Sequence, residues 1–221
     1  MYCNYEYHIV KYIVYGGIYM ERSECKKLAK KVLKGNWIIA FAALLIYSSI
    51  ISALSLLTAG IGTLLLSASL LIALYNVFIN AYKKNKYEIS DMVKGWDEGI
   101  TNRIVLSILK SLFLSLWSLL FVIPGIIKGY SYALAEFISR KEPELSGNDC
   151  ITKSRELMNG HKFDLFLFDL SFIGWYILGA LTFGIGFIWI LPYVWQSRVI
   201  YIDKNIYKVD KEPEVEIDSE F

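Results

Sequence analysis

The chain has 221 residues, 55% of them apolar and 20% charged, with a formal net charge of +2. So small a charge excludes a nucleic-acid footprint, and the apolar share exceeds the roughly 45–50% of soluble domains. The charges also crowd into four blocks, 21–34, 83–103, 140–164 and 203–220, with stretches between them long enough for bilayer-crossing helices.

Residues 1–19 (MYCNYEYHIVKYIVYGGIY) are rich in tyrosine and interrupted by His8 and Lys11, which makes a poor span. They read as a non-native or flexible N-terminal extension, with Met20 as the expected initiator. A basic amphipathic helix follows at 21–34. The first span is expected over 36–57 and the second over 61–82. Only Thr58, Ala59 and Gly60 separate them, which forces an antiparallel hairpin. After the polar segment 83–103, a third span runs over 104–123 to Pro124-Gly125. The fourth, 126–140, has fifteen residues and reaches about 22 Å at 1.5 Å per residue, short of the ~30 Å hydrocarbon core. Pro124 could close a hairpin there or kink one long helix. A polar helix over 146–161 leads to spans five and six at 163–181 and 184–202. The membrane domain is thus 20–202, and the acidic tail 203–221, with Pro213, is expected to be disordered.

Lys and Arg fill the segments 21–34, 83–103 and 140–162, while the turns LTAGIG, IPGI and LTFGIG carry no charge. By the positive-inside rule both ends lie in the cytoplasm. A repeat underlies this order: Leu57-Thr58-Ala59-Gly60-Ile61-Gly62 recurs as Leu181-Thr182-Phe183-Gly184-Ile185-Gly186. Each copy follows a charged helix, a glycine and an aromatic: Gly35 with Trp37, and Gly160 with Phe163. Lys94-Gly95-Trp96, the third span and Pro124-Gly125-Ile126 give a middle unit of the same grammar. The expected fold is all-α and polytopic: about six transmembrane helices as three hairpins, each entered from a cytoplasmic amphipathic helix.

Three features resemble a bacterial family of integral membrane proteins catalogued as domain of unknown function nine-seven-five. They are Pro124-Gly125-Ile126, the run Lys153-Ser154-Arg155-Glu156-Leu157-Met158-Asn159-Gly160, and Gly184-Ile185-Gly186. The resemblance covers roughly 20–202, starts at Met20, and implies a Gram-positive cell membrane but no activity. In outline the chain is also similar to the membrane domain of some glycerophosphodiester phosphodiesterases.

An ionisable side chain within a span costs at least ~2.5–3.5 kcal/mol to insert, so each one is a functional candidate. Four qualify: Lys110, Lys128, Glu136 and Asp169. Lys110 lies seven residues past Arg103, and Asp169 seven past Lys162, so equal depth permits a Lys110–Asp169 pair that Glu136 could join; the alternative is that Lys110 snorkels to the headgroups and Asp169 faces a wet crevice. Lys128, near the outer turn, is placed to snorkel. Pro124-Gly125, with Gly60, Gly62, Gly184 and Gly186, marks turns or hinges. Lys153, Ser154, Arg155, Glu156 and Gly160 form a cytoplasmic motif, and Arg140, Lys141 and Lys162 add a basic surface for anionic lipids or a membrane protein partner. His161 reads as a surface group, and Trp117 and Trp175 as packing residues. The three cysteines, Cys3, Cys25 and Cys150, suit neither a disulfide framework nor a zinc site. With no catalytic motif, cofactor motif or metal spacing, the expected function is a non-enzymatic accessory protein, with a small transporter using Lys110, Asp169 and Glu136 as the alternative. Small residues on span five (Ser171, Gly174, Gly179, Ala180) permit self-association.

Overall fold

The computed structural model describes residues 20–207, apart from Asn85, Gly95, Asp97 and the side chain of Leu120. The expected extension 1–19 and most of the acidic tail therefore lie outside the described residues. The chain order is α1 (Arg22–Leu33), α2 (Trp37–Leu57), α3 (Ile61–Lys84), a 3₁₀ turn (Ile89–Met92), α4 (Ile100–Leu120) and α5 (Val122–Ser131). It continues through α6 (Ala135–Lys141), α7 (Gly147–Leu157), α8 (Lys162–Leu170), α9 (Ile173–Leu181) and α10 (Phe187–Tyr201) to a π-helical turn (Ile202–Tyr207). The described residues are helical, with no strand, and the protein is an all-α polytopic membrane protein.

Four runs are long and apolar enough to cross a membrane: Trp37–Leu57, Ile61–Lys84, Ile100–Leu119 and Lys162–Leu181. The other two of the expected six keep their places in the hairpins but fall short. Between α5 and α6 the helix breaks at 132–134, and α10 holds only 15 residues before the π turn. The tail also begins later than expected, because Asn205, Ile206 and Tyr207 pack into the fold.

The three hairpins are α2–α3, α4–α5/α6 and α8/α9–α10. Their second helices lie inward: α3 packs on both α6 and α10, and 56% of its span is buried against 17% for α2 and α4. The segment ahead of each hairpin packs on the hairpin before it, in cyclic order. α1 lies on α10, the 3₁₀ turn on α3, and α7 on α4 and α6. Polar side chains pin each dock. Asn205 bonds the backbone of Met20 in both directions, at 2.7 and 3.0 Å. Asn76 donates to the Lys94 carbonyl at 2.9 Å, and Lys153 donates to Glu142 at 2.5 and 2.7 Å.

Structure deepens the repeat. Cys25, Ala29 and Leu33 of α1 stand in the same register to Gly35 as Cys150, Ser154 and Met158 stand to Gly160, and all six are buried. Both glycines adopt φ +81°, the left-handed conformation that ends a helix at little cost only for glycine. The apolar stripe of each amphipathic helix is therefore packed on protein, not on lipid.

The two LTxGIG turns are the same object. Ala59 and Phe183 have φ 48° and 51°, and Gly60 and Gly184 have φ 87° and 90°. Gly60 N–H donates to the Ser55 carbonyl at 2.9 Å and Gly184 N–H to the Gly179 carbonyl at 3.1 Å. Each threonine hydroxyl donates backward, Thr58 to Leu54 and Thr182 to Gly179, and accepts forward from Gly62 (2.8 Å) or Gly186 (2.9 Å). A Cβ on either of those last glycines would stand 2.8 Å from that hydroxyl. The motif thus needs its second glycine for space and its threonine to satisfy backbone groups that hydrocarbon cannot.

The middle turn differs from expectation. The chain reverses at Phe121, in extended conformation (φ −161°, ψ 149°). Pro124 and Gly125 lie in the first turn of α5, where a missing N–H costs no hydrogen bond. Contacts then step apart along both helices: Gly125 on Ser118, Lys128 on Trp117, Tyr132 near Phe113, and Glu136 on Lys110. Those steps describe a closed antiparallel hairpin, not a kinked long helix.

At Gly147 an added Cβ would meet the backbone of Leu106 at 2.4 Å and the Asn102 carbonyl at 2.8 Å, so only glycine lets α7 reach α4. Gly147→Ala is expected to lower the melting midpoint in detergent by several degrees, as overpacking costs about 1–3 kcal/mol. Gly129→Ala, whose Cβ meets nothing within 4 Å, should melt with the wild type.

Candidate functional site

Three of the four ionisable candidates fall into two clusters rather than one. Lys110 of α4 donates to both carboxylate oxygens of Glu136 on α6 at 2.6 Å, with both side chains largely buried. The expected Lys110–Asp169 pair does not form. Asp169 of α8 instead faces Arg198 of α10 at 3.6 Å and accepts from the Tyr130 hydroxyl of α5 at 3.1 Å. The reason is the antiparallel register of the second hairpin, which sets Glu136 across from Lys110. Equal depth says nothing about which way a side chain faces. Lys128 stays near the outer turn as expected, with its ammonium 4.5 Å from the centre of the Trp117 ring.

The cytoplasmic motif divides by burial. Ser154 is fully buried and plugs the break between α5 and α6. Its hydroxyl accepts from Leu134 N–H at 3.2 Å and donates to the Ser131 carbonyl at 2.9 Å, satisfying two groups that the broken helix leaves open. Lys153 holds Glu142, which also accepts from Tyr207 at 2.5 Å. Gly160 makes the helix-ending turn. Arg155 and Glu156 are exposed. His161 is buried, not a surface group, with Nδ1 4.0 Å from Asp164. Trp175 is 40% exposed rather than packed away.

Several partners had no signal in the sequence. Arg198 lies near the end of the last expected span and was passed over beside Asp169. Arg140, taken for a positive-inside charge, reaches Asn76 at 2.5 Å and Asn80 at 3.1 Å, tying α6 to α3. Tyr87 donates to the buried Gln196. Only the recurrence of Asn76 and Asn80 one turn apart on an otherwise apolar helix could have marked that face.

Two carboxylates outside the spans are electrostatically tuned. Burial opposes ionisation of Glu142, but hydrogen bonds from Lys153 and Tyr207 and the Lys153 charge outweigh it and hold the carboxyl below its ordinary range. Burial likewise opposes ionisation of Asp91, and hydrogen bonds from Lys94 and Asn80, with the Lys84 charge, again leave the net shift downward. Burial pushes the Cys25 thiol up to about 12 and the Cys150 thiol up to about 11, so neither is a reactive thiolate. No group of three or more His, Cys, Asp or Glu that could hold a metal occurs among the described residues.

Residues 120–208 match the family described as protein of unknown function (DUF975). The match covers the stretch from the second turn to the π turn, narrower at its start than the resemblance read from the sequence. No curated protein and no solved structure matches the chain, and the likeness to the membrane domain of glycerophosphodiester phosphodiesterases is not supported.

Two tests follow from this geometry. Lys110→Met and Glu136→Gln should each destabilise the protein, because each strands a buried partner, while the double variant should recover about 1–3 kcal/mol of the summed loss. Lys110→Met combined with Asp169→Asn should be additive, measured as unfolding midpoints in mixed micelles. Glu142 and Asp91 have folded pKa values below their unfolded ones. Their stabilisation is present above pH ~4–5 and is lost as pH falls through the folded values. Glu142→Gln and Asp91→Asn should therefore start from lower midpoints at pH 7 and show a shallower acid loss than the wild type.

Proposed function

We propose that the chain is a non-enzymatic, multi-pass component of the bacterial cell membrane that acts through contacts with lipid or a membrane protein partner. The observation that carries this reading is the commitment of every intramembrane ionisable candidate to another part of the chain. Lys110 is held by Glu136, Asp169 by Arg198 and Tyr130, and Lys128 by the Trp117 ring. What the molecule offers outward is apolar helix surface, such as Ile38, Ile50 and Leu56 on α2 and Leu112, Leu116 and Leu119 on α4. Faces of this kind suit lipid chains or another membrane helix. An orientation with both ends in the cytoplasm is supported by the charged segments ahead of each hairpin and the uncharged turns at its far end.

A second reading, a small transporter, is favoured by one observation. The Asp169 and Arg198 side chains are 22% and 34% exposed, so both members of that ion pair reach the molecular surface, whereas Glu136 of the other pair is buried.

A photo-reactive residue placed at Ile50 in native membranes separates the two. A discrete protein adduct, with melting of wild type and Asp169→Asn equally indifferent to a panel of solutes, is the expected result. Solute-dependent stabilisation that disappears in Asp169→Asn would overturn the contact reading in favour of transport.

A further inference from the structure

α1 runs antiparallel along α10, with Met20 bonded to Asn205 at one end and Lys30 beside the Tyr193 ring at the other. Its apolar stripe, Cys25, Ala29, Val32 and Leu33, is buried. That packing fixes the direction of one polar row, Arg22, Lys26 and Lys30, spaced four residues apart and so stacked on one face. This row lies against α8 and α9. Arg22 meets Asp164 at 3.6 Å. Lys26 donates to the Ser171 hydroxyl at 2.7 Å and sits 4.2 Å from the centre of the Phe172 ring. Lys30 lies 5.6 Å from the Trp175 ring and 5.2 Å from the Tyr193 ring.

Among the described residues, no carboxylate lies within ion-pairing distance of Lys26 or Lys30. Burial first, then the neighbouring charges of Arg22 and Lys30, lower the pKa of Lys26. Rings hold the two ammonium groups in place while leaving N–H donors free. Beside them α9 presents Trp175 and Leu178, 40% and 53% exposed and three residues apart on one face.

We propose that Lys26 and Lys30 bind the phosphate of an anionic phospholipid whose acyl chain lies along Trp175 and Leu178. Four residues of helix separate the two lysines by about 6 Å, a gap that two charge-assisted hydrogen bonds of about 2.8 Å can bridge through one phosphate. Bound there, the phosphate offsets one of the two lysine charges, and the lipid bridges α1 of the first unit to α9 of the third. The site rests on the contact reading above, whose own test does not involve these lysines.

The test is the melting of the full chain in neutral detergent with phosphatidylglycerol, phosphatidylcholine or inorganic phosphate added. Phosphatidylglycerol should raise the midpoint by several degrees, and the other two should not. Lys26→Gln/Lys30→Gln should lose at least half of that shift, while Lys27→Gln/Lys31→Gln, with the same charge change on a different face of α1, keeps it. Lys30→Gln alone breaks no hydrogen bond among the described residues, so it should melt like the wild type in phosphatidylcholine and still lose part of the shift. Equal loss in the two double variants would mean diffuse attraction and overturn the site. So would full retention in Lys30→Gln, or a shift of the same size with inorganic phosphate.

Discussion

Hydrocarbon offers no partner to a polar group, so polar groups inside this molecule depend on the chain itself for partners. That single constraint accounts for most of the sequence's departures from plain apolar helix. Thr58 and Thr182 satisfy backbone at the two like turns. Ser154 enters the break between α5 and α6 and bonds both sides of it. Glu136 answers Lys110, and Asp169 answers Arg198. Removing any of these groups leaves its partner exposed to a medium that cannot solvate it, which is why they behave as pins rather than as free reactants.

The cyclic docking follows from the same need, seen from the amphipathic helices. Such a helix can lie on the membrane surface with its apolar face in lipid. Here α1 and α7 bury that face on α10 and on α4 and α6 instead. Each docking is pinned by a polar side chain on an inner helix or just past its end, and Asn205, Asn76 and Glu142 fill that role in turn. Three different residues doing one job in three places indicate that the geometry of the unit, more than its residue types, repeats.

Much of this was legible in the sequence, and what failed did so for definite reasons. Hairpin order, the two like turns and the amphipathic segments are written in period and composition, which chain-local physics reads well. Partner choice is not. Placing Lys110 and Asp169 at equal depth used only the rise per residue, whereas pairing also depends on azimuth and on where the neighbouring turn falls. Proline misled because in the first turn of a helix it is compatible with the helix it enters. Ser154 looked like part of a basic surface motif because its role lies twenty residues away, in a break that no local pattern announces.

Closing the ring has a consequence for how the molecule assembles. α1 is made first, yet its apolar stripe packs on α10, and its leading residue bonds to Asn205, which lies 185 positions along the chain from Met20. Cys25, Ala29, Val32 and Leu33 pack chiefly on α10, with a smaller contact to α3, so the cover of this stripe is complete only when α10 is in place. The packing of α1 thus needs a helix made much later, whereas α7 packs on α4 and α6, which precede it in the chain. The two related helices thus end in similar settings by opposite orders of events. The lysine row that the final docking turns toward α8 and α9 takes its position only in the completed fold.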